Sequence, residues 1–344
     1  MHFKLAFIGY GTVGQGLSEI LLEKKEMLSE RYGLNYTVVA ISDIMKGSIY
    51  NNNGLDLEKI LNLVKSGKEL DEYHDGIKGL DSIATIKETN ADTIVEVTFT
   101  DVKTGEPALT HIKTALNHKK NVISTNKGPV INKSKELLDL ALKNNVHYGF
   151  EGVVLAGTPA LNLAKFTLAG NSVKGFKGIL NGTTNYILTR MEEGMNYEDA
   201  LKKAQELGYA EADPTGDVEG FDALGKVVIL SNVVLGKNIT INDVDRMGIT
   251  NITLEDVKKA KSEGKRWKLI GSAEIQNNGT IKASVKPMQL PLNDPLAGVN
   301  EATNALTYFT DELGSVTIVG PGAGKRETGF SLLIDLLEIN RKSI

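Results

Sequence analysis

From Phe3 to Ile8 the chain is almost continuously apolar, FKLAFI, and the run stops at GYGTVG; beyond it Leu17, Ile20, Leu21, Met27 and Leu28 recur at helical spacing. The pattern predicts a strand, a tight turn and a helix. A second apolar, β-branched run, YTVVAIS, spans Tyr36 to Ser42, and Thr93–Thr98, Asn121–Ser124 and Val146–Phe150 read as further strands. Helical patterns cover Thr104–Asn117 and Ser134–Asn144, so strands and helices alternate over the first 150 residues. Such alternation predicts an α/β fold with a doubly wound parallel sheet and right-handed crossovers. The polar stretch Ser48–Asn53 reads as an exposed loop.

Past residue 150 the texture changes. AGTPALNLAKFTLAG reads as a helix, VKGFKGIL as a strand, and NGTTN as a turn feeding another helix. WKLIGSAEIQ and TIKASVKPM flank Asn277, Asn278 and Gly279, an Asn-Gly hairpin signal, so this half reads as α+β with antiparallel strands. Near the end SVTIV runs into GPGAG and then into Phe330, Leu332, Leu333, Leu336 and Leu337 at helical spacing. That final unit is expected to return to the first domain, which gives 1–150 with 315–344 as one domain and 151–314 as the other. No internal repeat interrupts this division.

Composition narrows the function. The 344 residues are 41% hydrophobic and 24% charged, and 39 Lys and Arg stand against 43 Asp and Glu, so the chain has no basic footprint for nucleic acid. No apolar run approaches the roughly 18 residues that span a bilayer, and MHFKLAFIGYG lacks the parts of a secretory signal. A cytoplasmic protein without a membrane partner is expected. The absence of cysteine excludes disulfides, thiolate metal sites and a thiol nucleophile, and with it every dehydrogenase that works through a thioester. The five histidines, His2, His74, His111, His118 and His147, are scattered, none beside clustered carboxylates or a glycine-rich turn. Proton transfer therefore falls to Lys, Asp, Glu or Tyr.

Gly9, Gly11 and Gly14 stand in GxGxxG register between a strand and a helix, the Rossmann-type context for a dinucleotide, with Thr12 and Val13 inside the same turn. The first glycine makes the turn, the second admits the pyrophosphate, and the third lets helix and strand pack. Asp43 ends the second strand, where a carboxylate would accept the ribose hydroxyls and repel a 2′-phosphate. It lies 29 residues past Gly14, beyond the usual spacing of about 20, and Lys46 nearby softens discrimination. The cofactor reading is thus NAD or NADP, leaning to NAD; a plain strand–helix turn and an ordinary strand-end Asp are the alternatives. GPGAGK at Gly320–Lys325 fails as an NTP loop, because Val319 replaces the first glycine and Arg326 the magnesium-binding hydroxyl.

Two segments place lysines in polar, backbone-permissive surroundings. STNKGP puts Lys127 just beyond a strand, at the carboxyl edge of the sheet where α/β folds bind ligands. GYAEADPTGDVEGFDALGKVV has Gly208 as a helix C-cap, then Glu211, Asp213, Asp217 and Glu219, then a helix with Asp222 and Lys226 four apart on one face. A solvated acidic loop and a surface ion pair remain the alternatives; a calcium loop fails on spacing. NGTTN, Asn181–Asn185, offers hydroxyls and amides suited to a substrate carboxylate or to capping.

GYGTVG, STNKGPV, EGVVLAGTP, ILNGTTNYIL, GYAEADPTGDVEGFDALGK and GPGAG, in that order across nearly the whole chain, resemble the homoserine dehydrogenase family. The resemblance implies interconversion of L-aspartate 4-semialdehyde and L-homoserine with NAD(P)H on the route to threonine and methionine. It also implies a homodimer, with the second domain serving substrate binding and dimerisation. Position by position, it makes Lys226 the proton donor to the aldehyde oxygen with Asp222 beside it, and has Lys127 touch both nicotinamide and substrate. Glu211 and Asp217 would hold the substrate ammonium, Thr183 and Tyr209 would contact substrate, and Thr98 and Gly324 the cofactor. The carbonyls of Glu151, Val154, Ala156 and Thr158 correspond to a sodium-type cation site.

KRETGFS after GPGAG departs from the family's continuation, which puts contacts beyond Gly324 in doubt. The sequence ends at Ile344, so feedback control through an appended regulatory domain is not expected. Two other classes stay open on the residues alone: a related reductase of another small amino-acid or keto substrate, and a catalytically silent dinucleotide sensor. The sensor would need the first domain but not the acidic loop and its lysines.

Overall fold

In the computed structural model, which describes residues 2–99 and 101–342, backbone proximity divides the chain into one unit of Met1–Gly157 and Gly324–Ile344 and a second of Thr158–Ala323. Among the described residues a seven-stranded sheet carries the first unit. Its strands are β1 (His2–Ile8), β2 (Asn35–Asp43), β3 (Gly47–Tyr50), β4 (Ile77–Lys78), β5 (Thr93–Glu96), β6 (Asn121–Ser124) and β7 (Tyr148–Gly149), in the spatial order β4-β3-β2-β1-β5-β6-β7. From β2 to β7 neighbours run parallel, and β3 and β4 add an antiparallel edge. Leu5, Ala6, Phe7 and Ile8 of β1 are all fully buried, as expected of a central parallel strand covered on both faces. β2 lies on one side of β1 and β5 on the other, so the turn after β1 sits where the winding reverses.

The apolar stripe after that turn forms two helices, Thr12–Glu23 and Lys25–Tyr32, separated at Lys24, where the sequence pattern predicts one. Met27 is consequently exposed while Leu17, Ile20, Leu21 and Leu28 enter the core. The last helix, Lys325–Lys342, lies against the first. Added side-chain carbons show how closely: one on Gly16 would stand 2.3 Å from the Lys325 carbonyl oxygen, and one on Gly329 2.6 Å from the Leu17 nitrogen. Lys325 to Glu19 and a two-pronged Arg326 to Glu23 pair, all at 2.7 Å, fasten its start.

The second unit is built on a mixed sheet of β8 (Val173–Ile179), β9 (Val244–Arg246), β10 (Lys265–Ile275), β11 (Ile281–Pro291), β12 (Thr303–Thr310) and β13 (Gly314–Pro321), ordered β13-β12-β8-β10-β11-β9. β10 and β11 form the expected hairpin, with Gly279 at φ +80°. Helix Gly182–Glu192 carries Thr183, and helix Phe221–Val233 carries Asp222 and Lys226. A side-chain carbon on Gly271 of β10 would lie 2.8 Å from Val227, so glycine admits the second of these helices against the sheet.

Two sequence expectations need correction. Ser48–Asn53 is not wholly a loop: Ser48 and Ile49 belong to β3 and are buried, because Ile49 registers against Ile41 of β2. The expected boundaries at 150 and 315 also differ from the observed division. Residues 315–321 form β13, which pairs antiparallel with β12 of the second sheet, and only the helix beyond Gly324 belongs to the first unit. Residues 151–157 stay with the first unit, where the Glu151 amide donates to Asp335 of the last helix. Among the described residues no helix is long and apolar enough to cross a membrane.

Candidate active site

The glycine turn after β1 divides into positions the protein itself demands and one that it does not. Gly9 has φ +87°, and a side-chain carbon there would stand 2.6 Å from the Val97 carbonyl oxygen. At Gly14 the same carbon would lie 3.3 Å from the Gly9 carbonyl oxygen, the close helix-to-turn approach that the third glycine permits. Gly11 has ordinary extended dihedrals and its carbon would meet nothing within 4 Å. Thr12 and Val13 open the helix that follows. Tyr10 is fully buried, donates its hydroxyl to Ser18 at 2.9 Å, and has its phenol pushed up to about 12 by burial.

Asp43 ends β2, and its carboxylate is largely occupied by the protein's own backbone. Oδ2 accepts from the Tyr10 amide at 2.7 Å, and Oδ1 accepts from the Met45 and Lys46 amides at 2.9 and 3.0 Å. The Lys46 ammonium lies 3.7 Å from Oδ1. A carboxylate has about four acceptor positions, so three are used: one locks the glycine turn to the end of β2 through Tyr10, and two hold the turn after β2 through Met45 and Lys46.

The carboxyl ends of β5 and β6 carry a cluster that the sequence reading missed. Glu96 is fully buried and registers with Ser124 of the neighbouring strand. It accepts hydrogen bonds from the Thr98 hydroxyl, the Thr98 amide at 3.3 Å, the Ser124 hydroxyl at 3.2 Å and the Asn126 amide group, and His111 Nδ1 lies 3.3 Å away. His111 meets this single carboxylate from fifteen positions away along the chain, through tertiary packing. The available signal was a single acid inside the apolar run TIVEV. Tyr148 of β7 is buried with its hydroxyl unpartnered among the described residues; burial, then the charges of Glu96 and Asp335, push its ionisation well above the ordinary value.

Asn126 stands at the N-cap position of the helix Lys127–Lys143, so Lys127, half-buried, occupies the first helical position. A cation at the positive end of a helix is electrostatically unfavourable by about 0.3–1 kcal/mol. Residues that break a local rule in this way concentrate at functional sites.

In the second unit the helix Phe221–Val233 buries the Lys226 side chain among apolar neighbours. Its Nζ donates to the Leu180 carbonyl at 2.6 Å and to Asp222 Oδ2 at 2.8 Å, as the four-residue spacing predicts. Asn181 extends this run: Nδ2 donates to Asp222 Oδ2 at 3.0 Å and to Asp217 Oδ1 at 2.6 Å, while Oδ1 accepts from the Thr184 amide at 2.9 Å and caps the next helix. Lys226, Asp222, Asn181 and Asp217 are thus one hydrogen-bonded series.

Both side-chain amides of NGTTN are engaged within the protein, so of its two readings, substrate carboxylate or capping, it is capping that is observed. Asn185 donates to the carbonyls of Val299, Glu301 and Thr303 and accepts from the buried Lys268 at 3.0 Å. Burial pulls the Lys268 ammonium down to about 8. Thr183 donates to the Tyr209 carbonyl at 2.7 Å, and the Tyr209 ring lies 5.1 Å from that of Tyr186. Glu211 is exposed and Asp217 half-buried.

The remaining loop acids have structural roles. Asp213 accepts from the Thr215 amide at 3.1 Å, and hydrogen bonds from the Thr215 hydroxyl and then its amide hold it below the usual carboxylate range. Glu219 accepts from the Thr250 hydroxyl at 2.8 Å.

In the first unit Glu151 precedes the single-turn helix Gly152–Leu155, which contains Val154 and ends at Ala156 with φ +47°. In the second unit the Thr158 carbonyl already accepts from the Ala160 amide at 2.8 Å. Gly324, at φ +130°, leads into the last helix.

A family model described as homoserine dehydrogenase matches residues 159–337, and one for glutamate/leucine/phenylalanine/valine dehydrogenases matches residues 4–138. The chain is 43% identical over 342 residues to the NAD(+)-dependent homoserine dehydrogenase of Pseudomonas canavaninivorans, covering 99% of this chain and 97% of that one. It is 43% identical over 336 residues to a homoserine dehydrogenase of Methanocaldococcus jannaschii, covering 97% and 98%. A hyperthermophilic archaeal homoserine dehydrogenase mutant, solved in complex with NADPH, superposes with a TM-score of 0.85 at 31% identity and covers 99% of this chain and 98% of that one.

Proposed function

Because the chain belongs to the homoserine dehydrogenase family, we propose that Lys226 exchanges the proton of the family's reaction, with Lys127 assisting it. The protein is an NAD(P)-dependent oxidoreductase that interconverts L-homoserine and L-aspartate 4-semialdehyde, a step of amino-acid biosynthesis. The observation that carries the assignment of Lys226 is the series in which Asp222 and the Leu180 carbonyl hold its Nζ at 2.8 and 2.6 Å.

The turn fits a dinucleotide. Gly9 is required by the fold and Gly14 sits in a close approach to the turn, whereas Gly11 faces open space, where a side chain would obstruct an approaching pyrophosphate. Gly9, Gly11, Thr12, Val13 and Gly14 would hold the phosphates, Asp43 the adenosine ribose, and Thr98, Lys127 and Gly324 the rest. The Asp43 carboxylate argues for NAD over NADP, since it would stand against a 2′-phosphate. The bound nicotinamide supplies or accepts the hydride.

The other steps fall to this chain's side chains. As the aldehyde is reduced its oxygen gains negative charge, and the Lys226 ammonium donates the proton that makes it a hydroxyl; in the other direction the amine takes that proton back. General acid catalysis of this kind contributes about 10²–10⁴ in rate. Asp222 holds the ammonium in place, and Asn181 ties Asp222 to Asp217. Glu211 and Asp217 supply the charge that selects an amino acid over a simple aldehyde. Thr183 already donates to Tyr209, so its hydroxyl can offer only lone pairs, which suits an ammonium.

The carbonyls of Glu151, Val154, Ala156 and Thr158 suit a hard monovalent cation such as sodium. A homodimer in the cytoplasm completes the reading. The test is homoserine-dependent reduction of NAD+ and of NADP+, followed by absorbance of the reduced nicotinamide. Turnover with homoserine and a higher kcat/KM for NAD+ are expected. Activity confined to a non-amino alcohol would overturn the roles of Glu211 and Asp217, and a preference for NADP+ would overturn that of Asp43.

A further inference from the structure

We infer that Glu96 is a positioning residue for the nicotinamide end of the cofactor site, fixing Thr98 directly and Lys127 through Ser124 and Asn126. The inference rests on the reading above that places Thr98 and Lys127 at that end.

A fully buried carboxylate is costly unless its oxygens are satisfied, and among the described residues its partners are hydrogen-bond donors and an imidazole, none of them a lysine or arginine. The sheet itself does not require this carboxylate. β5 and β6 are already joined by a regular parallel ladder from Thr93↔Asn121 to Glu96↔Ser124. The carboxylate instead gathers what lies past the strand ends. Thr98 reaches it with both hydroxyl and amide, so the chain leaving β5 is held at two points.

On the β6 side the Ser124 hydroxyl and the Asn126 side-chain amide both donate to Oε2, and the Asn126 backbone N–H donates to the Ser124 hydroxyl at 3.1 Å. Asn126 stands at the N-cap position of the helix whose first residue is Lys127. Two residues assigned to the cofactor, on two different strand ends, are therefore referred to one carboxylate. Glu96 is fully buried and both its oxygens serve protein donors, so it acts through these neighbours and does not touch a ligand.

Glu96→Gln tests this, because Gln turns one acceptor into an NH2 group facing donors such as the Asn126 amide. The readouts are thermal unfolding, kcat, KM for NAD+, and calorimetric affinity for NAD+ and for ADP-ribose, which carries the adenine and both phosphates but no nicotinamide. Disrupting charge-assisted hydrogen bonds of this kind should weaken NAD+ binding and kcat/KM by about tenfold or more. ADP-ribose affinity should stay within about twofold. Ser124→Ala, which removes one donor without adding a polar group, should shift NAD+ in the same direction by a smaller factor and decides the matter if Glu96→Gln does not fold.

Equal losses for both ligands, or no loss for either, would overturn the inference. Lys127→Ala separates the two levels. If it leaves NAD+ binding and turnover intact, the assignment of Lys127 fails and the inference falls with it. If Lys127→Ala is impaired while the Glu96 and Ser124 variants behave as wild type, only the inference fails. In the Glu96→Gln, Lys127→Ala double variant the cost should be less than the product of the two singles.

Discussion

Gly11→Ala separates what the fold needs from what the cofactor needs. The backbone at Gly11 has φ −79° and ψ −155°, which any residue adopts, and an added side-chain carbon would meet nothing within 4 Å. Ala is a poorer N-cap than Gly, a loss of up to about 1 kcal/mol. Restricting the unfolded chain returns about 0.4–1 kcal/mol. The net change is near zero, so the ligand-free melting temperature should move by no more than about 4 °C for a unit of this size.

Cofactor affinity should behave differently. A methyl group between the turn and the pyrophosphate would displace at least one charge-assisted contact worth about 1.5–3 kcal/mol, or roughly 10- to 150-fold in Kd. Calorimetric titration with NADH, beside differential scanning of the ligand-free protein, reads both quantities. Gly9→Ala is the contrasting control. Its carbon would stand 2.6 Å from the Val97 carbonyl oxygen at a φ of +87°, so the ligand-free protein should itself be destabilised. A Gly11→Ala protein that binds NADH within threefold of wild type would refute the placement of the phosphates, and one that melts more than about 8 °C lower would refute the claim that the fold tolerates a side chain there.

Asn181→Ala removes both a helix cap and the bridge from Asp222 to Asp217, so it should lower stability by about 2–3 kcal/mol and kcat/KM for homoserine by at least tenfold. Asn181→Asp keeps the cap and should restore part of the stability but not the activity; equal behaviour of the two variants in both assays would contradict the bridging role. Lys268 is held near 8 in the folded state against about 10.5 in the unfolded chain, so the unfolded state binds more protons between these values and wild-type stability should rise with pH across that window. Relative to Lys268→Met, urea unfolding at pH 7.5 and 9.5 should show wild type gaining about 1–2 kcal/mol at the higher pH, and a difference independent of pH would contradict the buried ammonium.

What the sequence made legible was local. β1, the glycine turn and the hairpin at Gly279 are written in contiguous residues, because an apolar run, a positive φ and an Asn-Gly pair each act within a few positions. The Asp222–Lys226 pair was legible for the same reason, since one helical turn fixes the distance. Ser48–Asn53 hid an edge strand because its partner, β2, determines which of its polar residues are buried. The placement of β13 depended on β12, since a strand followed by a glycine turn and a helix looks the same whichever sheet it joins.

Glu96 and Asn181 were the larger omissions in the site. A lone acid in an apolar strand gives no hint that Thr98, His111, Ser124 and Asn126 converge on it, because those residues approach only when two strand ends and a helix are packed together. Asn181 was legible as a cap, but its second role needed Asp217 and Asp222, which are 36 and 41 positions away. Asp43 read as a ribose ligand or an ordinary strand-end acid, and neither reading included the Tyr10 amide from which its carboxylate accepts, which joins it to the glycine turn.

The most direct measurement is the homoserine-dependent rate of NADH formation by Lys226→Met, taken with NADH affinity on the same protein. Loss of the buried ammonium should lower kcat by about 10²–10⁴ while NADH binds within about twofold of wild type. A variant that turns over within tenfold of the wild-type rate would contradict Lys226 as the group that exchanges the proton.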